Sequence, residues 1–133
     1  MFSILPCSDP ARVGEYPEGT TLLIYKDNGT ERGHVAYYQN KSAIEIISME
    51  VGEDISPDLP LSEEAFLHGD ALVRSVGSIA LGKGLLTLCT KLYDLSPLLD
   101  KLGFFKNGDY YILYLNKLFA KGCSGCSGCG GCN

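Results

Sequence analysis

The segment Ala43-Ile44-Glu45-Ile46-Ile47-Ser48-Met49-Glu50-Val51 decides the fold of this chain. Aliphatic, largely β-branched residues dominate it, which marks a strand. Its alternation breaks in the middle: Ile44 and Ile46 share one parity, whereas Ile47, Met49 and Val51 share the other. One extra residue in a strand shifts every later side chain to the opposite parity, so the switch between Ile46 and Ile47 predicts a β-bulge; a strand buried on both faces would read similarly.

Towards the N-terminus, Asn40-Lys41 supplies a turn. Before it, Thr20-Thr21-Leu22-Leu23-Ile24-Tyr25, the turn Asp27-Asn28-Gly29 and the run His34-Val35-Ala36-Tyr37-Tyr38 predict a β-hairpin. Residues 1–19 carry proline, glycine and charge without a period and predict an irregular lead-in.

Towards the C-terminus, Pro57 and Pro60 mark a loop, and Ser62-Glu63-Glu64 supplies a helix N-cap followed by carboxylates that suit the positive end of the helix dipole. Ala65, Leu72, Val76 and Ile79 recur at helical spacing as far as Gly82-Lys83-Gly84, which reads as a helix stop, since a phosphate loop follows a strand and opens a helix. Leu85 to Cys89 reads as a buried strand, and Ser96-Pro97 opens a second, short helix through Leu98, Leu99 and Leu102 that ends at Gly103. Asn107-Gly108 then turns the chain into a last strand, Tyr110 to Leu115. The predicted order is β-β-β-α-β-α-β. This describes one α/β domain over residues 1–121, with a mixed, mainly antiparallel sheet and two helices, followed by a Cys/Gly-rich tail over residues 122–133.

The chain of 133 residues is 45% hydrophobic and 20% charged, the balance of a single folded unit. With a net charge of −5 and its Lys and Arg residues scattered singly, it offers no basic stripe for phosphates, which argues against a nucleic-acid partner. It has no apolar run of membrane-spanning length and no signal-like start, so a membrane partner is not expected and the location read from the sequence is cytoplasmic. Thiols stay reduced there, so the six cysteines point to metal or redox chemistry.

Four of them, Cys123, Cys126, Cys129 and Cys132, form a C-x-x-C-x-x-C-x-x-C array with Gly and Ser spacers. Two-residue gaps let neighbouring sulfurs turn back onto one centre, and four thiolates complete the shell of a soft metal or an iron–sulfur cluster. The same array also suits an oxidisable tail or a substrate for covalent modification. Cys89, in an apolar run, reads as a core residue, and His34 and His68 have no partner at ligand spacing.

The string Leu98-Leu99-Asp100-Lys101-Leu102-Gly103-Phe104, followed by a turn and an aromatic strand, resembles the closing half of the GNAT N-acetyltransferase family, and the element order agrees. The resemblance implies a GNAT-like α/β fold with a reduced N-terminal part. In that family the bulged central strand splays from its neighbour and its backbone holds the pantetheine arm of acetyl-CoA. By resemblance, Met49, Glu50 and Val51 would face the cofactor, Glu45 and Glu50 would be candidates for taking a proton from an amine, and a small amine or peptide would be the acyl acceptor. Two departures weaken that chemistry. The family's Gly-rich phosphate loop is replaced by an acidic, proline-bearing stretch whose only glycine is Gly52, and Leu99 stands where a tyrosine acid is usual. The functional expectation is a GNAT-like domain with weak or lost acyl-CoA chemistry and a metal-binding tetrathiolate. The alternatives are an active acyl-CoA-dependent N-acyltransferase and a peptide-maturation substrate whose Cys tail is modified.

Overall fold

Two tight turns, one with Asn28 at φ 55° and Gly29 at φ 81° and the other with Lys41 at φ 59°, fold the first half of the chain into a meander. Its strands are β2 (Thr21–Asp27), β3 (Thr30–Asn40) and β4 (Ala43–Glu50), all antiparallel, as the turn chemistry demands. The computed structural model describes residues 2–120. The tail cysteines Cys123, Cys126, Cys129 and Cys132, where a metal site is expected, lie outside the described residues.

The bulge sits where the parity switch places it. Ala36 pairs with Ser48 and Tyr37 pairs with Ile46, so Ile47 is the extra residue. In consequence Ile44 and Ile46 before the bulge, and Met49 and Val51 after it, all enter the main core. Ile47 instead packs with Leu22, Ile24 and Ala36 in a smaller apolar cluster.

A 20-residue helix, α2 (Glu63–Gly82), crosses over to β5 (Thr87–Thr90), which pairs with β4 in parallel. Ser62 caps α2, its Oγ accepting from the Ala65 N–H at 3.0 Å. A 3₁₀ turn (Tyr93–Leu95) leads into α3 (Ser96–Leu102), which ends at Gly103 with φ 104°; there the Phe104 N–H donates to the Leu99 carbonyl. Gly69 lets α2 meet α3, because a Cβ there would fall 2.8 Å from Leu98 Cδ1. Both helices bury Leu72, Val76, Leu98, Leu99 and Leu102 against Ile44, Ile46, Leu88 and Leu113 of the sheet. The result is the expected α/β architecture.

Three expectations are corrected. The lead-in is not irregular: β1 (Phe2–Pro6) pairs antiparallel with β2, and a four-residue helix, α1 (Pro10–Val13), follows, with Asp9 Oδ1 accepting from the Ala11 N–H. Leu85 does not start β5; its N–H is held by the Ala80 carbonyl as part of the helix stop. The last strand is half of a hairpin, β6 (Phe105–Asn107) with β7 (Tyr110–Tyr114), and Leu115 opens α4 (Leu115–Ala120). Short α1 and α4 thus join the two expected helices. Among the described residues the sheet runs β1-β2-β3-β4-β5-β7-β6, with β4–β5 its one parallel pair. No helix among the described residues is long and apolar enough to cross a membrane.

Candidate functional site

The parallel joint between β4 and β5 is short. Ile44 pairs with Leu88, Glu45 with Cys89 and Ile46 with Thr90, and there it stops. Thr90 is fully buried, and its hydroxyl donates to the Ile46 carbonyl at 2.7 Å while accepting from the Leu92 N–H at 3.2 Å. It closes the last rung and turns the chain out of the sheet. Beyond it, Ile47 is the unpaired bulge residue and Ser48 to Glu50 pair with β3 alone, so the other edge of β4 faces no strand among the described residues.

A wedge-shaped cavity of about 380 Å³ fills this divergence. Ile47, Ser48 and Met49 line one side, and the segment Lys91 to Leu95 lines the other. Tyr93 forms a braced wall: its hydroxyl donates to the Asp109 carbonyl, its ring lies 6.2 Å from that of Tyr111, and the Lys106 ammonium sits 5.0 Å over it. An open strand edge presents backbone donors and acceptors in a fixed row, which suits an extended chain of amides.

The residues expected at a cofactor are dispersed. Met49 lines the wedge. Glu50 is exposed and pairs across the strand with His34. Val51 is buried in the main core, and its carbonyl accepts from His68 Nδ1–H at 3.1 Å. Glu45 is 8% exposed and accepts from Asn40 Nδ2 at 2.9 Å. It pairs across the strands with Tyr38 on one side and Cys89 on the other. Its negative charge raises the Tyr38 hydroxyl above its ordinary value. Burial, and then the same charge, push the Cys89 thiol up to about 11. Cys89 is therefore a protonated thiol at neutral pH and a poor nucleophile.

At the N-terminus of α2, Ser62 Oγ donates to Glu53 Oε1 at 2.9 Å while capping the helix, and Glu63 and Glu64 occupy the first turn. These carboxylates already complement the positive end of the helix, and they repel an anion. Leu99 lies fully buried in the core. Among the described residues, no group of three or more His, Cys, Asp or Glu side chains could hold a metal ion.

Sequence reasoning missed Thr90, Lys91, Tyr93 and Asp94. The one local hint is a threonine that ends an apolar run directly before a lysine.

No family model matches the sequence, and no curated protein matches it. Solved structures do share its fold. An aminoglycoside 6′-N-acetyltransferase from Enterococcus faecium superposes with a TM-score of 0.62 at 11% identity, over 86% of this chain and 97% of that one. An IAA acetyltransferase from Bacillus cereus gives 0.60 at 16% identity, over 81% and 79%. A GNAT family acetyltransferase from Elizabethkingia anophelis, solved with acetyl-CoA bound, gives 0.56 at 15% identity, over 84% and 95%. The chain has the fold of these acetyltransferases.

Proposed function

We propose that this GNAT-fold domain has weak or lost acyl-CoA chemistry and carries a C-terminal tetrathiolate, Cys123, Cys126, Cys129 and Cys132, that binds a soft metal or an iron–sulfur cluster in the cytoplasm. One observation supports the first half: the wedge is open, but the helix end that would have to cradle a pyrophosphate holds Glu53, Glu63 and Glu64. A diphosphate brought there meets like charge in place of free amides. Leu99, buried and apolar, cannot protonate a leaving thiolate. The second half rests on the spacing of the array and on the preference of thiolates for soft metals.

The wedge itself favours a second reading, an active N-acyltransferase that holds acetyl-CoA along β4 near Met49, Glu50 and Val51 and acylates a small amine or peptide, with Glu45 or Glu50 taking the proton. Thermal melting with acetyl-CoA separates the two. Ligand at a hundred times its dissociation constant adds about 2.7 kcal/mol to stability, so a cofactor site must raise the melting temperature. A flat curve at millimolar acetyl-CoA is expected, and a rise of several degrees would establish the second reading. For the tail, the test is anaerobic purification with metal and sulfide analysis, comparing the full chain with one ending at Lys121. Metal in the full chain alone is expected; equal content in both would remove the tail assignment.

A further inference from the structure

A second cavity lies away from the wedge, between the outermost strand and the first turns of α2. It is a groove of about 600 Å³ with Phe2, Tyr25, Leu67 and His68 as its walls and Glu63 and Glu64 at its rim. Phe2 is 62% exposed and Leu67 56%, unusual values for large apolar side chains that face one another across a groove. The floor is rigid. The Tyr25 ring meets Phe2 edge-on at 5.6 Å and His68 edge-on at 4.8 Å, and His68 is held by the Val51 carbonyl. β1, which carries Phe2, pairs only with β2, so its outer backbone edge faces no strand among the described residues.

The charge around the groove selects its occupant. No Lys or Arg lines it. An adjoining cleft of about 290 Å³ shares Glu64 and His68 and adds Glu31 and Glu53 against a single guanidinium, Arg32. Glu31 is already held by Arg12 in a bidentate pair at 2.8 and 3.0 Å, which lowers its carboxyl below the ordinary range. Glu64 has His68 Nε2 3.8 Å away and Glu53 has only the Ser62 hydroxyl, so the charge left uncompensated at the rim among the described residues belongs chiefly to Glu53 and Glu63. A second copy of this chain would bring acid onto acid, and an anionic membrane surface would be repelled in the same way.

We propose that this groove docks an extended, lysine- or arginine-bearing apolar segment of a partner protein, laid along the free edge of β1. Every second side chain of an added strand then points over the groove, where an aliphatic or aromatic group fills the space between Phe2 and Leu67 while its cationic neighbours reach the rim. The groove and its adjoining cleft lie away from the wedge but share Glu53, Glu63 and Glu64 with the helix end that the proposed function reads as hostile to a pyrophosphate, and peptide binding and melting with acetyl-CoA test the two readings separately.

The probe is a capped, fluorophore-labelled twelve-residue peptide of alternating leucine and lysine, followed by fluorescence anisotropy with the full chain; its leucine–glutamate counterpart serves as control. The cationic peptide should bind, the anionic one should not, and added salt should weaken the complex. Glu63→Gln with Glu64→Gln should weaken binding about tenfold, close to 1.4 kcal/mol, and Leu67→Lys should abolish it. All three positions are exposed, so melting temperature checks that each variant is folded. Removing two carboxylates elsewhere, by Glu15→Gln with Glu18→Gln, should leave affinity unchanged. Equal binding of both peptides, equal loss in the Glu15/Glu18 variant, or full binding by the Leu67 variant would overturn the proposal. So would a dimer in sedimentation that Leu67→Lys dissolves, since the occupant would then be a second copy.

Discussion

The two halves of β4 differ in their neighbours more than in their residues. Ile44 to Ile46 are zipped to β3 on one side and β5 on the other, whereas past the bulged Ile47 the residues Ser48 to Glu50 have β3 alone among the described strands. Aliphatic side chains run through both halves, and what separates them is one inserted residue, Ile47, and one hydroxyl, Thr90, that ends the joint. The contrast teaches that the candidate site arises by withholding a strand from an otherwise complete sheet. Reactive groups are secondary to it: Glu45, the buried carboxylate, belongs to the closed half.

Perturbing the closed half should cost most. Ile46→Ala removes a fully packed side chain between the sheet and its helices and should cost about 2–5 kcal/mol in urea unfolding. Thr90→Val keeps the shape but leaves the Ile46 carbonyl and the Leu92 N–H without their partner, a loss of about 1–3 kcal/mol; restoration by Thr90→Ser would show that the hydroxyl is responsible. High pH tests the same half. The Cys89 thiol has a folded value of about 11, raised by burial and Glu45 above an ordinary 9.0, so the unfolded chain loses its proton first. The stability that Cys89 contributes is fully present below pH 9 and is lost as pH rises from about 9 to 11. Cys89→Ala should flatten that limb in part, the remainder coming from Tyr37, raised by burial, and Tyr38, raised by Glu45. In the open half, Ile47→Ala should cost only about 1 kcal/mol, because its side chain is half-buried. A loss as large as that of Ile46→Ala would mean the wedge is closed in solution.

The elements with a strong period were legible in the sequence. The parity switch located the bulge, Ser62 located the start of α2, and Gly103 located the end of α3. Those missed lack a buried face of their own. β1 contributes only a half-buried Ile4 among exposed neighbours, and β6 is three exposed residues, so neither alternates. Leu115 fits a strand period and a helix period equally; tertiary packing resolves it, because Gly77 leaves room on α2 for Leu115, Leu118 and Phe119. The wedge was half legible. The bulge is local, but the end of the β4–β5 joint depends on a hydrogen bond spanning 44 positions, which no window of sequence contains. The groove beside α2 was illegible because its other wall is β1.

The crossover through α2 also sets an order of assembly. The strands β2, β3 and β4 are joined by tight turns and can zip at the low entropic cost of short loops, whereas β5 must wait until a 20-residue helix has formed and docked. The parallel joint is therefore expected to close late, which amides of β5 exchanging with deuterium before those of the β2–β3 hairpin would show. A ligand seated in the wedge would fasten that seam, so occupancy would register as slowed exchange across the C-terminal third of the sheet.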